Sequence, residues 1–212
     1  MNASFAFELE ANREAGGSVA GVAVGTVVAN DDPKGLGRVK LRFHWRDKKF
    51  VTDWVRVVAP MAGGGRGAYF VPEVEDEVLV AFDRDDIRYP YVLGTLWSDK
   101  DKPPERNQNK KNDVRIIKSR KGHMLKFDDA AAKGVITIQL NDGKKVEIDD
   151  DGIRITDGAN SIKIDSKGGS ISLEAATSLS IKAPKVSIEA TASLDLKGGA
   201  SLSANARLVR IN

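Results

Sequence analysis

The sequence predicts an all-β protein in two parts: an N-terminal OB-fold-like barrel, then an intertwined trimeric β-helix, a triangular β-prism wound from three copies of the chain. Three observations predict it. Between Gly21 and Trp97, short apolar runs alternate with Gly, Pro and Asp turns, and no helical period appears. Residues 98–113 then carry almost no apolar side chains and include Pro103-Pro104, the composition of an exposed linker. From Val146 to the C-terminus, apolar-x-apolar pairs recur about every eight residues, a short repeat of the strand-and-turn kind.

The barrel, over 21–97, follows a 1–20 N-terminal arm whose charges interrupt any apolar core, so no signal peptide is expected. Strands are expected near Val22–Ala29, Arg38–Trp45, Val51–Val58, Glu77–Phe82 and Tyr91–Leu96. Turn residues separate them: Asp31-Asp32-Pro33 with Gly35 and Gly37, Asp47-Lys48, the glycine loop Gly63-Gly64-Gly65-Arg66-Gly67, and Arg84-Asp85-Asp86. Five short strands in so few residues suit a small Greek-key barrel. Phe43 and Trp45 alternate on one strand and are both expected to face its core.

Neck strands are expected within 114–145, at Val114–Lys118 and Met124–Phe127, and the repeat occupies 146–212. Its pairs are Val146/Ile148, Ile153/Ile155, Ile162/Ile164, Ile171/Leu173, Leu179/Ile181, Val186/Ile188, Leu194/Leu196, Leu202/Ala204 and Val209/Ile211. A strand of this pattern points two side chains to one face. One such strand is too short to enclose a core. A monomeric three-sided β-helix would have only about three coils, near the minimum for such repeats. Three chains around one axis fill the prism with the Val, Ile and Leu pairs and leave few free edges. Nine layers stack to a rod on the order of 40 Å.

The segments DDPKGLGRVK (Asp31–Lys40), PMAGGGRGAYFVPEVEDEVLVAF (Pro60–Phe82), RYPYVLGTLW (Arg88–Trp97) and IKSRKGHMLKFDD (Ile117–Asp129) stand in this order. The chain resembles the VgrG and phage baseplate assembly protein V family, spikes of contractile injection systems. The resemblance implies a structural, membrane-piercing homotrimer that seats on a baseplate hub protein at the barrel end. It also implies a PAAR-type tip protein at the C-terminal end, on Arg207, Leu208, Val209, Arg210, Ile211 and Asn212, and admits an effector cargo. Hub and spike are expected to be separate proteins, because only a short arm precedes the barrel. Synthesis in the bacterial cytoplasm and assembly into a phage-tail-like particle are expected, with the spike extracellular or injected on firing. Glu75 stands where the family has glycine in the PEVGDEV turn.

Other functions fit only parts of the chain. Its 33 basic and 30 acidic residues are interspersed, for a net charge of +3, so no nucleic-acid face is expected. A nucleic-acid or glycan-binding OB-fold on Phe43, Trp45 and Trp54 leaves the repeat without a purpose. A catalytic site is not expected: Asp76, Glu77 and Asp83 read as strand-edge groups and Asp149, Asp150 and Asp151 as a corner. With no cysteine and only His44 and His123, neither a metal nor another cofactor is expected.

Overall fold

The computed structural model describes Val19 and residues 21–47, 49–130 and 134–210. Apart from Val19, the N-terminal arm lies outside the described residues. The chain divides into two compact units at Gln108/Asn109.

In the first unit the strands are β1 (Val22–Ala29), β2 (Lys40–Arg42), β3 (Arg56–Val57), β4 (Ala62–Gly63), β5 (Arg66–Gly67), β6 (Glu77–Phe82) and β7 (Pro90–Leu96). The main sheet runs β2-β1-β6-β7-β3, with β3 parallel to β7 and the other pairs antiparallel. A bridge between Val39 and Val55 joins the two outer strands and closes the barrel. Alternation along β6 turns Val78, Val80 and Phe82 inward. They meet Val27, Val39, Leu41, Phe43, Val55, Ile87 and Val92 in one core. Fully burying such a side chain contributes about 2 kcal/mol.

Turn chemistry accounts for the barrel's corners. The Arg38 guanidinium forks onto both Asp32 oxygens at 2.7 and 2.8 Å, and the Lys34 and Leu36 amides donate to the same carboxylate. These bonds, Arg38's foremost, hold the Asp32 carboxyl far below the ordinary carboxylate range. Glu75 makes its turn at φ 78°, a left-handed backbone that costs a residue with a Cβ about 1–2 kcal/mol. Two expected strands are shorter than alternation implied. β2 ends at Arg42 because the chain turns at Phe43, whose carbonyl accepts the Arg46 amide at 3.2 Å. Trp45 therefore leaves the core and is half exposed, its ring centroid 5.3 Å from that of Phe43.

The second unit contains β8 (Val114–Lys118), β9 (Met124–Asp128), β10 (Val135–Gln139), β11 (Lys145–Asp149), β12 (Gly152–Thr156), β13 (Ser161–Asp165) and β14 (Ser170–Glu174). They form one seven-stranded sheet in chain order, every neighbour antiparallel. Each reversal from β10 to β14 has a glycine in the left-handed region: Gly143 (φ 92°), Gly152 (149°), Gly158 (98°) and Gly169 (63°). Aspartates tie the turns: Asp149 accepts the Asp151 and Gly152 amides, Asp157 those of Ala159 and Asn160, and Asp165 that of Gly168. Backbone pairing from β8 to β14 is thus within the chain, with the outer edges of β8 and β14 unpaired among the described residues. From Ala175 to Arg210 no strand forms among the described residues, and every residue is exposed.

Candidate functional site: the apolar face of the second sheet

Residues directly opposite in an antiparallel ladder share a face, so the registers place the side chains of the sheet in columns. One column runs Phe127, Ile136, Ile148, Ile153, Ile164, Ile171, and its neighbour runs Ile117, Leu125, Ile138, Val146, Ile155, Ile162, Leu173. Every position named in both is apolar. Arg115 heads the first column and turns to Asp129, 3.0 Å away. Six strand spacings make the stripe roughly 30 Å long.

The stripe is uncovered in a single chain: Ile138 is 55% exposed, Ile171 69% and Leu173 56%. Soluble monomers rarely leave so large a contiguous apolar surface in water. Covering it would stabilise an assembly by on the order of 10 kcal/mol per chain, at roughly 1 kcal/mol for each half-exposed aliphatic side chain.

The opposite face is polar from β11 to β14, carries Val114, Ile116, Met124 and Val135 on the strands before them, and holds ion pairs within three strands. Lys126 pairs with Asp128 at 3.0 Å, Lys145 with Glu147 at 2.8 Å and Lys163 with Asp165 at 3.3 Å. The Lys126 hydrogen bond is the main cause that lowers the Asp128 carboxyl, while for Asp165 the Gly168 amide leads and Lys163 follows.

Of the residues expected in a trimer core, Val146, Ile148, Ile153, Ile155, Ile162, Ile164, Ile171 and Leu173 stand together on this face. Leu179, Ile181, Val186, Ile188, Leu194, Leu196, Leu202 and Val209 lie beyond the sheet, exposed and in no ladder. Ile211 and Asn212 fall outside the described residues; Arg207, Leu208 and Arg210 are exposed and belong to no strand. The sequence reading began the stripe at Val146 and missed Ile117, Leu125, Phe127, Ile136 and Ile138. Leu125/Phe127 and Ile136/Ile138 carry the same apolar-x-apolar signature, but their longer spacing hides them from an octad count.

Two of the carboxylates considered for chemistry hold local turns. Asp76 accepts the Glu73 amide at 2.9 Å, and Asp149 caps the β11–β12 turn. His44 bonds Thr26 at 3.0 Å in the first unit, and His123 accepts the Asn141 amide in the second.

Two family models match this chain. Residues 23–97 match a type VI secretion system/phage-baseplate injector OB domain, and residues 114–168 match a phage baseplate V C-terminal trimerisation domain. The chain belongs to the VgrG/phage baseplate V family. The trimerisation match of this baseplate V chain covers β8 to β13, the strands whose apolar face has no cover within one chain, and it supports a homotrimer. Type VI secretion system spike proteins VgrG2a and VgrG2b of Pseudomonas aeruginosa are each 31% identical over 106 residues, 46% of this chain. VgrG1b of the same organism is 25% identical over 126 residues, 54% of this chain. The chain spans 12%, 10% and 17% of the length of these three relatives.

Proposed function

We propose that this chain is the trimeric, non-enzymatic central spike of a contractile injection system or phage-tail-like particle. The observation that carries the reading is the unbroken two-column apolar stripe on the sheet that matches a trimerisation domain. Three copies facing inward would enclose these columns in a prism and leave the opposite faces to water. The unpaired octads past Glu174 would extend the prism by taking strands from each chain in turn, which gives the 146–212 segment the part of a needle.

In this reading the barrels seat on the baseplate hub, sheath contraction drives the rod through the target membrane, and Arg207–Asn212 carry a PAAR-type tip protein. An effector cargo would travel with that tip. The chain would be made in the bacterial cytoplasm and assembled there into the particle. Piercing asks for rigidity, and a strand hydrogen-bonded to two other chains cannot leave without disturbing both.

Light scattering or sedimentation of the purified protein tests the reading. The expected mass is three times the 22.9 kDa chain. A stable, folded monomer would sink it.

A further inference from the structure

Where β3 and β7 meet on the outside of the barrel lies a cleft of about 230 Å³ that the trimer reading does not use. Leu41 and Val55 point into the core, so their strand neighbours Lys40, Trp54 and Arg56 point out. The Val39–Val55 bridge sets Lys40 across from Trp54, and the parallel pairing sets Arg56 beside Tyr91.

All four aromatic rings lining the cleft are covered by a cation. Lys40 stands 5.2 Å from the Trp54 centroid, Arg56 4.7 Å from Tyr91, Arg46 4.6 Å from Phe50 and Arg88 5.7 Å from Tyr89. These cations differ in what they have left to give. Arg88 is satisfied by both oxygens of Asp86, the nearer at 2.6 Å. Arg56 places one N–H on the Tyr91 hydroxyl at 2.6 Å, and among the described residues it has no carboxylate partner. A guanidinium held beside a ring with donors to spare suits a carboxylate.

Two features of the cleft select the ligand class. A cation over each ring leaves at most one face to stack on a base or sugar. Asp53 in the wall and Asp86 beside Arg88 oppose the closely repeated charge of a phosphate backbone, yet leave room for an isolated carboxylate. We propose that the cleft receives an acidic side chain presented on a protein segment, with Arg56 as the receptor and Lys40 and Arg46 flanking it. Only the partner's identity as another component of the particle rests on the spike reading.

The test uses the full-length protein and a fluorescein-labelled peptide of Gly-Ser-Glu repeats, followed by anisotropy at low and high salt. Short oligothymidylate serves as comparator. Peptide binding is expected to weaken about fivefold or more in Arg56→Gln and in high salt. Arg56→Lys, which keeps the charge and loses the fork, is expected to weaken it too, whereas Lys182→Gln should not change it. Binding indifferent to Arg56→Gln overturns the proposal, as does oligothymidylate binding more tightly than the peptide with the same dependence on Arg56. Mass measured on the same samples separates the two readings. A trimer that ignores the peptide defeats the cleft, and a monomer that binds it through Arg56 defeats the spike.

Discussion

The same apolar octad behaves in two ways within this chain. From Lys145 to Glu174 it forms four strands that pair with one another, while from Leu179 to Val209 it forms none. The apolar pairs hardly differ between the two stretches, so they are not the cause. The corners differ. Every reversal from β10 to β14 has a left-handed glycine, and all four are also tied by an aspartate that accepts a backbone amide. After Gly169 no glycine occurs until Gly198-Gly199, neither of which is left-handed, and Pro184 stands in one corner. The tightest hairpins, with two-residue loops, need positive φ at the turn. A chain without it forms tight hairpins less readily, which fits the proposal that its next strand partner comes from another copy. The apolar repeat says which face is inward, and the corners say whose strand comes next.

The sharpest way to break this comparison lies in the unpaired stretch. Ile181→Asp would bring three carboxylates together near one axis in the assembly, where desolvation and mutual repulsion each cost several kcal/mol. Loss of the trimer by light scattering is the expected outcome. Lys182→Asp, one residue along and facing water, should change stability by no more than about 0.5 kcal/mol. If the two variants behave alike, the inward and outward assignment is wrong.

Substitutions at the corners should matter less, and unequally. A Cβ at Gly152 would sit 1.9 Å from the Ile164 carbonyl oxygen, so Gly152→Ala has to displace the β13 backbone. A cost above about 2 kcal/mol is expected in thermal melts. Gly158→Val, at φ 98° but in open space, should cost about 1–2 kcal/mol. Gly199→Ala also meets open space, without a left-handed backbone, and should lie within about 0.5 kcal/mol of the parent. Equal losses at Gly158 and Gly199 would mean that the late corners are hairpins after all.

Acid should produce the smallest contrast. Asp128, Asp142, Asp157 and Asp165 all titrate below the ordinary carboxylate range: Lys126 is the chief cause for Asp128, Lys144 for Asp142, and backbone amides for Asp157 and Asp165. A carboxyl depressed on folding adds stability above its unfolded pKa of about 4 and loses it as pH falls through the folded value. Hydrogen exchange below about pH 4 should therefore loosen the turns of the sheet first. The barrel corner at Asp86, which Arg88 lowers to about 2, should hold to lower pH. Residues 175–210 contain only Glu189 and Asp195 as acids, and their exchange should barely respond. A uniform loss of protection would show that these aspartates do not set the turns.

Much of the barrel was legible in the sequence because alternation and turn residues bounded the same strands. β1 and β6 run over the residues read for them. Arg38–Trp45 was read too long, since alternation continues through Phe43 and Trp45 while the backbone has already turned; only the Arg46-to-Phe43 hydrogen bond reveals it. The apolar face was legible from Val146 onward and hidden before it, where longer loops stretch the spacing. The pairing of β11 to β14 within one chain could have been read from the Asp and Gly at their corners, had these been weighed against the glycine-poor corners downstream. The cation-covered rings of the barrel were not legible at all, for they join residues as far apart as Arg56 and Tyr91.

The ion pairs on the polar face have a consequence for how such a chain lengthens or shortens over generations. Lys126–Asp128, Lys145–Glu147 and Lys163–Asp165 each lie within a single strand, two residues apart. Since these pairs form within a strand, copying or deleting a hairpin breaks none of them across neighbours, and an even number of strands preserves chain direction. Each duplicated hairpin would add about 10 Å along the stack. Such a sheet is a ruler graduated in hairpins, able to change length without redesign of its interior.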